Sequence, residues 1–395
     1  MNHRQYETFE LRLTAATGGT YHLEVTASPQ GEQPSPAVVD IPAGEVAFPH
    51  PGDDLIALGK RLWGWLFPPP AEVLYRAALA ALPSDAGLRL RLWIDPPELA
   101  AIPWELAYDP ARGAFPALSA RTPLVRYVAL PFRPSPLAGP SPLRILFVAS
   151  APRDLPPLNS AAEKSRLLAA VEDLRSEGRA AVDTLEGRAT VEALQDALRS
   201  GYRVLHFSGH GRAGAVALED KDGWTHWVAA DGLAVLLGDS GVGLALLNAC
   251  DTGAAQPGGP FAGVAPALVR AGLPAVVAMQ APMPDESAVH FARNFYAALA
   301  DGLPVDAAAT EGRKAVSLAV GVSQPDWAIP VLYLRAPDGV LWDFGANQEA
   351  REEIQRAADA GDVYESITVT SGVVGAIGGR GHRIEQHITP GGEEG

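Results

Sequence analysis

Between residues 144 and 334 the chain alternates short apolar runs of strand length with longer runs of helical period. This rhythm limits the fold more than any other feature of the sequence. Arg144 to Ser150 is almost continuously apolar. A helical stretch from Asn159 to Arg175 follows, and then another from Thr190, its expected cap, to Arg199. Arg203 to Phe207, Val242 to Leu247 and Ala275 to Met279 read as strands, and Ile329 to Leu334 closes the series. Ala229 to Leu237, Phe261 to Ala271 (stopping at Gly272), Asp285 to Ala300 and Val305 to Leu318 read as helices. Strands that are apolar on both faces belong to sheets covered on both sides by crossover helices. The expected fold is therefore α/β, a doubly wound, mainly parallel sheet flanked by helices, with right-handed crossovers.

A chain of 395 residues exceeds one ordinary core and suggests two packed domains or one large composite one. Residues 1–130 are expected to form a smaller α+β N-terminal domain with a supporting or regulatory role. In it, Tyr6 to Thr14 and Thr20 to Thr26 are β-rich, and Leu88 to Ile94 and Pro123 to Leu130 read as strands. A helix starts behind Asp53 and stops at Pro68-Pro69-Pro70, and a second spans about Ala71 to Leu82. Residues 131–142, rich in Pro, Ser and Gly, are the expected linker. Residues 143–345 follow as the α/β domain, then a polar, helical linker over 346–362 and a β-prone, glycine-rich tail over 363–395.

Composition excludes several classes. The net charge is −15 with no Lys/Arg cluster, which argues against a nucleic-acid partner. No stretch of about 18 apolar residues offers a membrane span. The first residues lack the apolar core of a signal peptide, so a cytosolic location is expected. A single cysteine rules out intramolecular disulfides and multi-thiolate zinc sites.

That cysteine lies in one of two loops that carry chemistry. The first loop is Leu205-His206-Phe207-Ser208-Gly209-His210-Gly211, and the second is Leu246-Leu247-Asn248-Ala249-Cys250-Asp251-Thr252-Gly253. Each falls where a predicted parallel strand ends, and open α/β sheets form their sites outside the C-terminal ends of strands. A free thiol has a pKa near ~8.5, so a nucleophilic cysteine at neutral pH needs a neighbouring base. An imidazole can take the thiol proton and return it to the leaving amine. His210 and Cys250 are therefore the candidate catalytic pair. The amides of Gly209 and Cys250 are the candidate oxyanion donors. No side chain is evident to orient His210, though a backbone carbonyl could serve. The spacing of His206 and His210 suits metal only on a helix face, so no metal and no cofactor are expected.

The two loops resemble the motifs "hydrophobics–Ser–Gly–His–Gly" and "hydrophobics–Asn–Ala–Cys–acidic–Thr/Ser–Gly" of the CHAT family, a branch of caspase-like peptidases related to separase. Ile102-Pro103-Trp104-Glu105, Arg121 to Tyr127, Pro282 to Leu299 and Trp327 to Val331 resemble further segments of that family, and the likeness covers roughly residues 70–340. It implies a caspase-like fold, a His210/Cys250 dyad, a protein substrate, and a role in bacterial programmed cell death or antiviral defence. A catalytically silent scaffold of the same fold is the alternative. A hydrolase of small esters or amides would need the same dyad.

Asp251 and Asp285 are candidate substrate-binding acids that would favour cleavage after Arg or Lys. Asp285, just before the helix from Glu286, also reads as an N-cap. Trp104 reads as core. In the tail, the uncharged run from Ser366 to Gly379 alternates β-branched residues with glycines and loosely resembles short amyloid signalling motifs of bacterial defence proteins. A partner bearing a matching C-terminal motif is expected from that likeness.

Overall fold

The computed structural model describes residues 4–128 (except 34, 43 and 45), 137–138, 142–248 (except 213 and 239), 263–343, 367–370 and 373–376. Residues 1–137 and 141–342 form one compact unit, and residues 138–140 and 343–395 a second. The first unit begins with β1 (Tyr6–Ala15), β2 (Tyr21–Ala27), β3 (Ala37–Val39), α1 (Leu55–Leu66), α2 (Pro69–Ala81), β4 (Gly87–Ile94) and β5 (Leu124–Tyr127). After the short strand β6 (Leu137–Ala138) come β7 (Leu143–Ala149), α3 (Ser160–Ala170), α4 (Glu172–Ser176), β8 (Ala180–Thr184), α5 (Val191–Leu198) and β9 (Val204–Ser208). Then follow β10 (Gly211–Arg212), β11 (Ala215–Glu219), β12 (Thr225–Ala229), α6 (Ala230–Gly238), β13 (Leu244–Asn248) and α7 (Val264–Arg270). The series ends with β14 (Ala275–Met279), α8 (Asp285–Ala300), α9 (Val305–Val320), β15 (Pro330–Leu334) and β16 (Trp342–Asp343).

Eleven strands make one sheet in the order β3-β2-β1-β4-β5-β15-β14-β13-β9-β7-β8. All pairs are parallel except β1/β2, β2/β3 and β14/β15. The α/β, mainly parallel sheet expected from the apolar runs is therefore present. The antiparallel β14/β15 pair divides it, so β5, β4 and β1 run with β15, opposite to β14, β13, β9, β7 and β8. Strands from both sides of the sequence break at 131–142 join in this sheet, where Tyr333 of β15 lies opposite Arg126 of β5. Three further strands, β10-β11-β12, form a small antiparallel sheet directly after the His210 loop.

Register explains the core. Side chains alternate faces along a strand, and the pairings bring Leu146, Leu205, Ala245 and Val276 into one row and Val148, Phe207, Leu247 and Ala278 into the next. Both rows lie in one buried cluster with Leu194 and Leu198 of α5, Leu233 and Leu237 of α6, and Leu268 and Val269 of α7. The opposite face presents His206, whose Nδ1 lies 2.9 Å from the Tyr296 hydroxyl of α8. α8 packs against both α3 and α9 on that side, and α3 also packs on β7.

Local chemistry sets the helix ends. Asp54, not Asp53, caps α1, its Oδ1 accepting from Ala57 N at 2.9 Å. Thr190 caps α5 as expected, accepting from Ala193 N at 3.1 Å. Pro69 and Pro70 do more than stop α1: they open α2, where a missing N–H costs nothing. The expected helix over 159–175 is two helices, broken at Val171. Trp104 is fully buried, with Nε1 donating to Leu99 O at 2.8 Å, and is core as expected.

Beyond Ala138 and Asp343, the described residues of the second unit are β17 (Ile367–Thr370) and β18 (Val373–Ala376). They pair antiparallel across a two-residue connection, with Thr370 opposite Val373. The helical linker expected over 346–362 lies outside the described residues. Among the described residues no helix is long and apolar enough to cross a membrane.

Candidate active site

β9 and β13 are neighbours, with Ser208 opposite Asn248 at their C-terminal ends. His210 stands two residues beyond Ser208, and in the sequence Cys250 stands two residues beyond Asn248. The strand adjacency on which the pairing of the two loops depends is thus present. Cys250 and Asp251 lie outside the described residues.

His210 is buried, at 4% exposure. Its Nε2 is 2.9 Å from the carbonyl oxygen of Pro156. A carbonyl only accepts, so Nε2 carries the proton and the neutral ring has its lone pair on Nδ1. Burial lowers the pKa of the ring, and the Pro156 carbonyl opposes that shift by favouring the charged form. The imidazole is consequently neutral, and available as a base, at neutral pH.

Gly209 is required by packing. A Cβ there would come within 2.5 Å of Phe207 Cζ. Its amide donates to Asn248 O at 3.2 Å, so the oxyanion role expected of Gly209 needs that bond to open. Asn248 Oδ1 is buried and has no hydrogen-bond partner among the described residues.

Asp285 is not the N-cap the sequence suggested. It is the first residue of α8 itself; Pro284 occupies the cap position and supplies no side-chain bond. The Asp285 carboxylate reaches Arg166 of α3 at 2.7 Å instead and is mostly exposed. Proline before a helix takes over the capping geometry through its fixed φ, which shifts the acid one position inward.

Two residues beside His210 escaped the sequence reading. Pro156 is one proline among many before α3. Glu163 looks like an ordinary first-turn acid, yet its carboxylate accepts from the Ser208 hydroxyl and is buried. Burial pushes the Glu163 carboxyl up to about 7, with Arg166 working to lower it and Asp285 to raise it.

A second polar cluster lies where β5 and the Glu105 segment meet the end of β14. Arg126 donates from Nη2 to Glu105 Oε2 at 2.8 Å and to Ile102 O at 3.0 Å, and from Nε to Glu105 Oε1 at 3.2 Å. Gln280, just past β14, donates to Glu105 Oε2 at 3.1 Å and to Ala328 O at 2.7 Å. Burial works to raise the Glu105 carboxyl, but the Arg126 guanidinium overrides it and holds the acid below the usual carboxylate range. The Pro-Trp-Glu segment and the strand after it are thereby joined to the end of β14.

Among solved structures, the chain is similar to separase in the Saccharomyces cerevisiae separase–securin complex, at 14% identity and TM-score 0.38 over 67% of this chain. That match spans only 16% of the separase chain. It is also similar to the RgpB pro- and mature-domain complex of Porphyromonas gingivalis, at 12% identity and TM-score 0.45, covering 72% of each chain. The Arg-specific cysteine proteinase gingipain R matches at 10% identity and TM-score 0.45, over 71% of this chain and 70% of that one. No curated protein matches. The family model for the CHAT domain matches residues 57–333, which contain β4 to β14, β15 up to Tyr333, the His210 loop and the Glu105–Arg126 cluster, and the chain belongs to the CHAT-domain family.

Proposed function

We propose that this chain is a cysteine endopeptidase that cleaves a protein partner by acyl transfer, with Cys250 as nucleophile and His210 as base. The supporting observation is the tethered imidazole: Nε2–H is held by the Pro156 carbonyl, which leaves Nδ1 as the basic atom of a neutral ring at the end of β9. His210 Nδ1 takes the thiol proton of Cys250. The thiolate attacks the scissile carbonyl carbon, and the tetrahedral oxyanion collapses as His210 returns the proton to the leaving amine. Water, deprotonated by the same nitrogen, then releases the acyl group from the thioester. The amides of Gly209 and Cys250 bind the oxyanion once Gly209 N–H leaves Asn248 O. No cofactor enters any step. Asp251, with Asp285 once released from Arg166, would favour a basic side chain before the scissile bond.

The setting we propose is a cell-death or defence response. In this reading, residues 1–130 support the peptidase and the β17–β18 segment docks on a partner with a matching motif. An unassembled peptide of residues 363–390, soluble and unstructured alone or seeded, would remove the docking part.

The catalytic reading is tested by labelling the protein with acyloxymethyl ketones bearing Arg, Leu or Asp. Labelling is expected in the wild type with the Arg probe preferred, and is expected to vanish in Cys250→Ala and in His210→Ala. Labelling that survives in His210→Ala would show an unassisted thiol and overturn the dyad.

A further inference from the structure

The segment leading into α3 touches the His210 turn at both ends. Pro156 O holds His210 Nε2–H, and seven residues later the Glu163 carboxylate holds the Ser208 hydroxyl. Between these two contacts, Asn159 Oδ1 caps α3 by accepting from Ala162 N at 3.1 Å, so the intervening chain is a fixed helix start. Ser208 is fully buried and Glu163 is 8% exposed. Burying a carboxyl is costly unless its hydrogen bonds compensate, and the transfer steps above give Glu163 no chemical task. We propose that Glu163 is a positioning residue for His210, gripping the Ser208 hydroxyl so that the Ser208–Gly209–His210 turn presents the imidazole at a constant orientation; the proposal rests on the reading of His210 as the base.

Several groups face this carboxyl. Arg166 of α3 and Asp285 of α8 act on it directly. β9 contributes the Ser208 hydroxyl and, on the same face of the strand, His206, which is bonded to Tyr296 of α8 and stays neutral down to about pH 4 because it is buried. β7 has no titratable side chain from Ile145 to Ala149. On α4, Glu172 pairs with Arg175 and Asp173 with Arg293. A carboxylate accepts a stronger hydrogen bond than a carboxylic acid. Since burial raises Glu163 to about 7, the grip tightens as the pH rises through that value.

The test uses the full chain and the imidazole Nε2–H proton of His210 in NMR spectra, assigned by its loss in His210→Gln. In the wild type, protection of this proton from solvent exchange is expected to step down as the pH falls through 7, above the ring's own titration. Glu163→Gln is expected to abolish the step and to lower protection at pH 8 roughly tenfold or more, the effect of losing a hydrogen bond to a charged group. Ser208→Ala removes the same bond while keeping the charge, and is expected to reproduce the loss. It decides the matter if Glu163→Gln fails to fold. Protection in these variants equal to wild type at every pH would overturn the proposal. This readout needs no catalysis, so an unlabelled wild-type thiol would count against the peptidase reading and leave the positioning result intact.

Discussion

Replacing Glu105 by Gln removes the negative charge from a buried site that holds two guanidiniums. Glu105 and Arg313 are fully buried and Arg126 is 3% exposed. Glu105 bonds Arg126 at 2.8 and 3.2 Å, and Arg313 donates to the carbonyls of Pro330 and Leu124. The amide that replaces the carboxylate keeps one acceptor, but turns an N–H2 toward the Arg126 and Gln280 donors. Breaking a buried pair by removing one partner costs about 3–5 kcal/mol, because the remaining charge stays desolvated. Domains of ordinary stability hold only about 5–15 kcal/mol in total. The loss is expected as a lower urea midpoint at unchanged slope. A companion Glu105→Leu/Arg126→Met variant, which removes the Glu105–Arg126 pair and leaves Arg313 on its carbonyls, should be more stable than Glu105→Gln alone. The reasoning is refuted if Glu105→Gln loses less than about 1 kcal/mol, or if the double variant is no better than the single one.

Two more predictions follow from packing and titration. Gly59 of α1 sits against backbone, and a Cβ there would lie 2.5 Å from Leu106 O and 2.6 Å from Tyr108 Cβ. Gly59→Ala should therefore cost about 1–3 kcal/mol in urea unfolding despite its better helix propensity, and a neutral result would contradict the close approach. His206 is held near 4 in the folded state by burial, against an ordinary value of 6.5. The unfolded chain thus binds the extra proton first, and stability falls as the pH drops from 6.5 toward 4, by about 3 kcal/mol from this group. Glu163 runs the other way: its raised pKa means its contribution is largest below 4.5 and is lost as the pH rises through about 7. His206→Phe should flatten the acid limb of stability measured in a Glu163→Gln background, and an unchanged limb would refute the assignment.

Much of this molecule is readable in one dimension because its signals are local. Strand-length apolar runs, the Thr190 cap and the helix over Asp285 to Ala300 need only propensity and period, and the structure reproduces them. The candidate loops at 205–211 and 246–253 are legible because sites of open α/β sheets form at the C-terminal ends of parallel strands. The β11–β12 hairpin was missed although Asp222-Gly223 marks a turn between two β-prone runs. Other features depend on residues far apart in sequence. The antiparallel β14/β15 pairing follows from where a chain returns, which the apolar run of Ile329 to Leu334 does not encode. Likewise, that Arg126 closes on Glu105 and Gln280, that Pro156 orients His210, and that Glu163 is buried against Ser208 are decided by helices and strands meeting across the sheet. Sequence alone determined the fold class, the candidate base and nucleophile, and most element boundaries, since backbone geometry and hydrophobic period act over a few residues. Tertiary structure decided which polar groups are desolvated together, since burial is a property of the assembled layers, and so it alone set the ring tautomer of His210 and the raised pKa of Glu163.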